Sequence, residues 1–436
     1  MSPSEELAAV LLEYVDKNSS RLIHLIQELV RTPSENTPPS GAELACQEKI
    51  AYSLQSMGWQ PLLYELKTVM GLQEHPCYWP GRSYEGRPNL GCRISGKGGG
   101  RSLVLSGHID TVPRGTQPWS RDPFSGYLEQ NRLYGRGAND MKGGIGTNLF
   151  VLEALRELGI VLGGDLVFES VVDEEFGGVN GTLASRLQGF NGDAAILSEP
   201  SYLRICIAQR GGRTAHITLQ APGGILTEAK FPVGITDQLR YLLNRIPDFS
   251  DLRRRTYPAH PDFSNHPDPV PASITKIYTG PWGTREPITV PETCQIEFYW
   301  QTMPGETQIE VEQQFLRWLD AVTRESTDLF PRPPRVEFPI RWLPGSAISP
   351  EEPLVQELTE SVLRAQGRRP EVTGLEGPCD MFVFHQFGIP AVCWGARGGN
   401  THGADEYLEI DSVIAAAKAL LLFVCRWCGV VSRGRV

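Results

Sequence analysis

The 436-residue sequence predicts an α/β fold in which a mainly parallel sheet is interrupted by a smaller α+β domain. The first observation is a set of short apolar runs that end in acidic residues or histidine: RSLVLSGHID, DLVFESVVDEE and DAAILSEP. The second is the helical spacing of Leu and Val over residues 144–158, between two of these runs. Buried strands that alternate with helices are typical of parallel sheets, whose ligands bind where the strands end.

The other elements follow in order along the chain. A helical pattern over residues 4–18 runs on into SSRLIHLIQELVR, with Ser19 or Ser20 as a candidate cap, and residues 41–57 predict another helix. The middle of the chain has the order β-α-β-β-α, and the main fold resumes near Arg335. We therefore predict three segments: the first part of the main domain at 1–208, an inserted smaller domain, here called the lid, at 209–325, and the second part of the main domain at 326–436.

Composition limits the partners and the compartment. The chain has 51 acidic and 41 basic residues, a formal charge of -10, which argues against nucleic acid or an anionic membrane as the main partner. Residues 413–431 are apolar but contain Lys418 and Arg426, so they predict a core helix rather than a membrane span. Nine scattered cysteines and an N-terminus without a secretory pattern predict reduced thiols in the cytoplasm.

Two motifs offer the first candidate metal ligands. His108 and Asp110 in SGHIDTVP are two residues apart, so both side chains project to the same side of a strand end. One ring nitrogen of His108 can bind a metal while Asp110 orients the ring through the other. Asp140 lies between glycines in GRGANDMKGG, and these allow the tight turns that bring its carboxylate towards the strand ends.

Three further motifs add acidic and imidazole groups. Asp173, Glu174 and Glu175 end an apolar strand, where adjacent carboxylates repel each other unless cations lie between them. Neighbouring side chains of an extended chain point apart, so one can bind metal while the other contacts substrate. Glu199 ends another strand, and His402 lies in a Gly-rich loop. Such nitrogen and oxygen donors suit two zinc or related divalent ions bridged by a carboxylate.

In the order and approximate spacing of SGHIDTVP, GRGANDMKGG, DEEFGG, SEP and THGADE, the sequence resembles a family of co-catalytic zinc peptidases and deacylases. The family includes acetylornithine deacetylase, succinyl-diaminopimelate desuccinylase, aminoacylase and glutamate carboxypeptidase, and the resemblance covers nearly the whole chain. It implies Glu174 as general base and Asp110 as the residue that steadies His108. The implied ligands are His108, Asp140 and Glu199 for one ion, and Asp140, Glu175 and His402 for the other.

The resemblance implies a dinuclear-zinc amidohydrolase that acts on N-acyl amino acids and forms a homodimer through its lid. Cobalt or manganese would fit similar ligands. Paired cations lower the pKa of water and stabilise an oxyanion, while Glu174 moves the proton. A metallo-dipeptidase or carboxypeptidase would use the same site on short peptides. A metal-bound binding protein without catalysis is the alternative from another class.

The predicted lid departs from the family pattern. The family's lid histidine is missing from APGGILTEA, and His216 is the candidate to replace it. Gln301 stands where relatives often have an arginine that binds a substrate carboxylate. Three arginines are candidate anion anchors instead: Arg210, Arg213 and Arg285. In the catalytic domain, three residues are candidate substrate contacts: Asp380, Arg397 and Asn400.

Overall fold

The computed structural model describes residues 5–225, 233–257, 260–264, 266–268, 270–279 and 289–433. The chain forms two compact units. The first contains Met1–Ala208, Ala347–Leu375 and Cys379–Val436, and the second contains Gln209–Ser346 and Glu376–Pro378. Arg285 and part of the APGGILTEA segment lie outside the described residues.

Helices and strands are numbered here in chain order. The α-helices of the described residues are α1 Glu5–Val30, α2 Leu44–Ser56, α3 Gly143–Glu157, α4 Asn180–Leu187, α5 Ile235–Thr256, α6 Gln308–Arg324, α7 Pro353–Gln366, α8 Met381–Gln386 and α9 Ile410–Cys428. The strands up to residue 209 are β1 Asn36–Thr37, β2 Ser40–Gly41, β3 Leu62–Tyr64, β4 Asn89–Ile94, β5 Leu103–His108, β6 Tyr127–Glu129, β7 Arg132–Tyr134, β8 Ile160–Leu162, β9 Leu166–Val171, β10 Ala195–Leu197 and β11 Ile205–Gln209. The later strands are β12 Gly211–Gln220, β13 Gly224–Ile225, β14 Ala272–Tyr278, β15 Thr289–Val290, β16 Thr293–Thr302, β17 Arg335–Glu337, β18 Ser346–Ala347, β19 Val372–Leu375, β20 Ala391–Cys393, β21 Gly398–Gly399, β22 Tyr407–Glu409 and β23 Val430–Arg433.

A central sheet organises the first unit. Its strand order is β18-β11-β20-β10-β5-β9-β4-β3, with β19 paired to β11. The four central strands β20, β10, β5 and β9 are parallel, whereas β3, β4 and β11 pair antiparallel beside them. β5 and β9 are buried along their whole length, as expected for strands covered on both faces. The predicted mainly parallel α/β architecture is confirmed.

The N-terminal helix differs from its prediction. α1 is continuous, and Ser19 lies inside it rather than at a cap. Leu11, Val15, Leu22 and Ile26 are all buried, so one apolar stripe extends across the position of the expected break. The Ser19 hydroxyl donates to a carbonyl of the preceding turn, which satisfies it within the helix.

The second unit is a four-stranded antiparallel sheet with the order β14-β16-β12-β17. Its long elements follow the predicted order β-α-β-β-α, as β12, α5, β14, β16 and α6. An aromatic cluster forms the core, in which Phe249 and Phe315 of the helices pack on Phe298 and Trp300 of β16. The predicted return to the main fold near Arg335 is wrong, because β17 pairs with β12 in this sheet.

The apolar C-terminal segment forms a core helix. Most residues of α9 are buried, including Cys425 and Cys428. Burial raises the pKa of the Cys425 thiol to about 12, as expected of a thiol inside the core. In the part of the chain that the structure describes, no helix has the length and hydropathy needed to cross a bilayer.

Candidate metal centre

Acidic and imidazole side chains converge at one end of the central sheet. His108 is the last residue of β5, Glu174 and Glu175 follow β9, and Glu199 follows β10. These strands are parallel neighbours, so their carboxyl ends meet at one edge. Two further groups come from loops: Asp140 before α3 and His402 after β21.

Six nitrogen and oxygen atoms of these side chains form two groups, and each group contains one oxygen of Asp140. His108 Nε2 lies 3.1 Å from Asp140 Oδ1 and 3.7 Å from Glu199 Oε1. On the other side, His402 Nε2 lies 3.3 Å from Asp140 Oδ2 and 2.9 Å from Glu175 Oε2. Within each group the candidate ligand atoms lie within 4.8 Å of one another. The two oxygens of Asp140 therefore face different histidines, which is the arrangement of a bridging carboxylate.

The charge and chemistry of this cluster fit divalent cations. The side chains of Asp140, Glu174, Glu175 and Glu199 are between 2% and 16% exposed. Among the described residues, the ion pairs of these four carboxylates come from two imidazoles, so negative charge is in excess. Imidazole nitrogen and carboxylate oxygen are the donors that zinc and related ions prefer.

The pKa values of these side chains reflect the same excess of negative charge. Burial raises the pKa of Glu175 to about 7 and that of Glu199 to about 8, and it raises the pKa of Glu174 well above its ordinary value. Burial also opposes ionisation of Asp140, but hydrogen bonds from His108 and His402 outweigh it and lower that pKa. Hydrogen bonds to Asp140 and Glu175 raise the pKa of His402 to about 10. Bound cations would take the place of these protons.

Asp110 contacts both the ring of His108 and the loop after β9. His108 Nδ1 is 2.9 Å from the backbone oxygen of Asp110 and 3.6 Å from its Oδ1. The Asp110 carboxylate accepts the backbone N–H groups of Glu174 and Glu175 at 3.2 Å and 3.1 Å. Glu174 Oε2 lies 3.9 Å from His108 Nε2, outside both ligand groups but next to them. One buried carboxylate therefore connects the histidine with the loop of the candidate base.

The candidate substrate contacts of the first unit have different surroundings. Asp380 is buried at the start of α8, and its charge contributes to the raised pKa of Glu174. Arg397 pairs with Glu409, with Nε and Oε2 3.2 Å apart. The Asn400 side chain donates to the backbone oxygen of Asp405 at 3.1 Å and so stabilises the loop around His402.

The candidates of the second unit lie on its sheet. His216 on β12 has its Nε2 3.1 Å from Glu297 Oε2 of β16. Arg210 is buried and donates from Nη1 to Gln301 Oε1 at 2.7 Å. Gln301 is thus the hydrogen-bond partner of an arginine on the neighbouring chain segment.

Sequence analysis missed two groups of residues around the centre. Asn36 donates to the Asp110 carboxylate, although it lies in a two-residue strand far away in sequence. Glu406 accepts hydrogen bonds from the loop of Asp140, and Arg136 pairs with Glu406. Both residues of the Arg136–Glu406 pair lie in motifs that the sequence analysis used, Arg136 in GRGANDMKGG and Glu406 in THGADE. The spacing of these motifs did not show that the two side chains form an ion pair.

The fold, with a cluster of carboxylates and imidazoles that could hold metal ions at the end of a parallel sheet, is that expected of a metal-dependent hydrolase. The sequence matches Peptidase family M20/M25/M40 over residues 104–426, more than half of the chain. It is 26% identical over 455 residues to N-formyl-4-amino-5-aminomethyl-2-methylpyrimidine deformylase of Halalkalibacterium halodurans, covering 96% of this chain and 97% of the relative. It is 28% identical over 425 residues to succinyl-diaminopimelate desuccinylase of Methylobacterium nodulans, covering 93% and 96%. Human carnosine dipeptidase 1 shares the fold at a TM-score of 0.72 and 17% identity, covering 98% and 100%.

The chain belongs to Peptidase family M20/M25/M40. The sequence-based resemblance and the expected hydrolysis of amide bonds are thereby confirmed. The dinuclear metal dependence of the family agrees with the shared position of Asp140 between two ligand groups.

Proposed function

We propose that this protein is a dinuclear-zinc deacylase that hydrolyses the amide bond of small N-acylated amines, with N-acyl amino acids as the leading substrates. The observation that carries the proposal is the position of Asp140, whose two oxygens lie 3.1 Å and 3.3 Å from His108 and His402. Glu174 next to this pair supplies a group that a purely structural metal site would not need. His108, Asp140 and Glu199 would hold one ion, and Asp140, Glu175 and His402 the other.

Two divalent ions bound there would lower the pKa of a water molecule and polarise the substrate carbonyl. Glu174 is the proposed general base, because its carboxylate lies beside both ligand groups without belonging to either. It would take a proton from the attacking water and deliver it to the leaving amine. Asp110 would keep His108 and the backbone of Glu174 in place.

The substrate class is supported by relatives that cover almost the whole chain. A deformylase and a desuccinylase, by their names, both remove an acyl group from an amine. The formyl and succinyl groups differ greatly in size and charge. The two relatives therefore share the removal of an acyl group but differ in the pocket that binds it. In the second unit, Gln301 stands where relatives often have an arginine and is hydrogen-bonded to Arg210, so the side chains at this position differ from the family pattern.

Purified protein reconstituted with zinc or cobalt tests the proposal. Metal content is counted in the same sample in which N-formyl, N-acetyl and N-succinyl amino acids and dipeptides are assayed. About two metals per chain with cleavage of one acyl class is the expected result. Cleavage of dipeptides alone would favour the peptidase alternative, and two metals without any turnover would favour the non-catalytic binding protein.

A homodimer formed through the second unit is part of the same proposal. β14 is an edge strand of its sheet, and Ile277 and Tyr278 at its end are 45% and 57% exposed. An exposed edge strand is a surface on which a second copy can add its own strand. A cytoplasmic location, proposed from the scattered cysteines, would keep the thiols reduced.

A further inference from the structure

Glu406 is a buried carboxylate four residues after His402, and it is only 1% exposed. Its Oε1 accepts the backbone N–H groups of Asn139 and Asp140 at 3.0 Å and 3.1 Å. Its Oε2 accepts the backbone N–H of Gly137 at 3.0 Å. Three backbone donors within four residues of the loop that ends at Asp140 are thus directed at one side chain, which fixes the loop around it.

The shape of this loop depends on Gly137. Its φ of 78° lies in the left-handed region, which glycine adopts without strain. A Cβ atom there would lie 2.5 Å from Thr111 Cγ2, so a larger residue would push the loop away from the sheet. The carboxylate of Glu406 and the glycine together place Asp140 at the strand ends.

Arg136 extends the contact to the other ligand loop. It is 1% exposed, and its Nη1 donates to Glu406 Oε2 at 2.6 Å. Its Nη2 donates to the backbone oxygen of Gly403, next to His402, at 3.0 Å. The guanidinium group therefore joins the carboxylate that holds the Asp140 loop to the turn that carries His402.

We infer that Glu406 and Arg136 are positioning residues that set the separation of Asp140 and His402, an inference that rests on the proposed two-metal function. His108 and Glu199 are held by the ends of β5 and β10 and do not depend on this pair. The two metal positions should consequently differ in how much affinity they lose when the Glu406–Arg136 pair is removed. Loss of the pair weakens the position formed by Asp140, Glu175 and His402 more than the position formed by His108, Asp140 and Glu199.

The experiment is a titration of metal-free protein with Zn²⁺ in competition with a chromophoric chelator, repeated with Co²⁺ and followed by its visible absorption. In Glu406→Gln, one acceptor oxygen becomes an NH₂ group that faces backbone donors. We expect the binding step that Glu175→Gln also weakens, which is the step at Asp140, Glu175 and His402, to lose roughly tenfold to a hundredfold in affinity. The other step should lose less.

Glu306→Gln is the matched control, because Glu306 and Arg253 form a similarly buried ion pair in the second unit and Glu306 Oε2 likewise accepts a backbone N–H, that of Met303. It should lower the thermal midpoint without changing the ratio of the two affinities. Arg136→Lys retains the charge but loses the bridge to Gly403, and it provides the same test if Glu406→Gln does not fold.

Equal losses in both binding steps, or unchanged affinities in the Glu406 and Arg136 variants, would overturn the positioning role while leaving the proposed function intact. A wild-type protein that binds no metal would overturn both.

Discussion

The side-chain nitrogen of Asn36 lies 2.9 Å from Asp110 Oδ2 and also 3.0 Å from Asp173 Oδ1, so one amide group joins two fully buried carboxylates. Asp110 in turn accepts the backbone N–H groups of Glu174 and Glu175. A neutral residue from a short strand therefore stabilises the loop that carries the proposed base and a proposed metal ligand.

Replacement of Asn36 tests this link. Asn36→Ala removes two hydrogen bonds to charged groups and leaves like charges facing each other, so we expect a loss of about 2–4 kcal/mol in the free energy of unfolding. Turnover should fall while KM changes little, because the loop of Glu174 loses its support. Urea denaturation and steady-state kinetics measure the two effects.

Asn18→Ala is the control for that substitution. Asn18 donates to the backbone oxygen of Tyr14 on the surface side of α1, and its loss should change stability by no more than about 0.5 kcal/mol. Equal stability of the two variants would contradict the role assigned to Asn36.

The division of roles between Glu174 and Glu175 gives a second prediction. Glu174→Gln should keep two metals and lose turnover by on the order of 10²–10⁴-fold, because the base is removed while both ligand groups remain. Glu175→Gln should lose metal first, since Glu175 Oε2 lies 2.9 Å from His402 Nε2 in a ligand group. Metal counting by mass spectrometry alongside kinetics separates the two. Equal metal loss in both variants, or full activity of Glu174→Gln, would show that the roles are wrongly assigned.

The side chains that the sequence analysis proposed as metal ligands do cluster in the structure, because several of them follow regular elements. His108, Glu175 and Glu199 come at or just after buried strands, so the parallel-sheet rule alone places them together. Asp140 and His402 lie in loops, and their inclusion depended on motif order. The cis peptide bond between Asp140 and Met141 has no signature in the residue pattern.

Residues that support the ligands were harder to predict. Asn36 contacts Asp110 across 74 residues of sequence, and a two-residue strand has no periodicity to reveal it. β17 joins the sheet of the second unit through pairing with His216, a long-range choice that local propensity does not determine. Local patterns therefore predict elements and their ends, whereas tertiary hydrogen bonds decide which loops meet there.

The pH dependence of the metal-free protein is a third prediction. Burial raises the pKa of Glu175 to about 7 and of Glu199 to about 8, so the folded state holds protons that the unfolded state releases near pH 4.5. His402, with its pKa raised to about 10, stabilises the fold fully below pH 6.5 and loses that contribution as the pH rises through 10. The two carboxyl groups and His402 therefore all lower the free energy of unfolding as the pH rises. Metal-free protein should become less stable from pH 5 to pH 9.

Thermal unfolding after chelation, measured across this pH range with and without added zinc, checks how the stability changes with pH. Zinc binds the deprotonated ligands, so it should stabilise the protein most at the alkaline end. Glu199→Gln removes one of the raised groups and should flatten the metal-free curve. A metal-free protein whose stability rises between pH 5 and pH 9 would contradict the assigned charges.

The edge of the second unit provides the last prediction. Ile277 and Tyr278 lie at the end of β14, and charged side chains on an edge strand oppose its pairing with another chain. The double substitution Ile277→Lys with Tyr278→Lys should convert a dimer into a monomer of 48.3 kDa without unfolding it, because both side chains are exposed. Ile309→Lys on α6 is the control, since Ile309 is 67% exposed in the same unit but away from the strand edge. Light scattering after size-exclusion chromatography distinguishes the states. A wild-type monomer, or a double variant that remains dimeric, would exclude β14 as the contact.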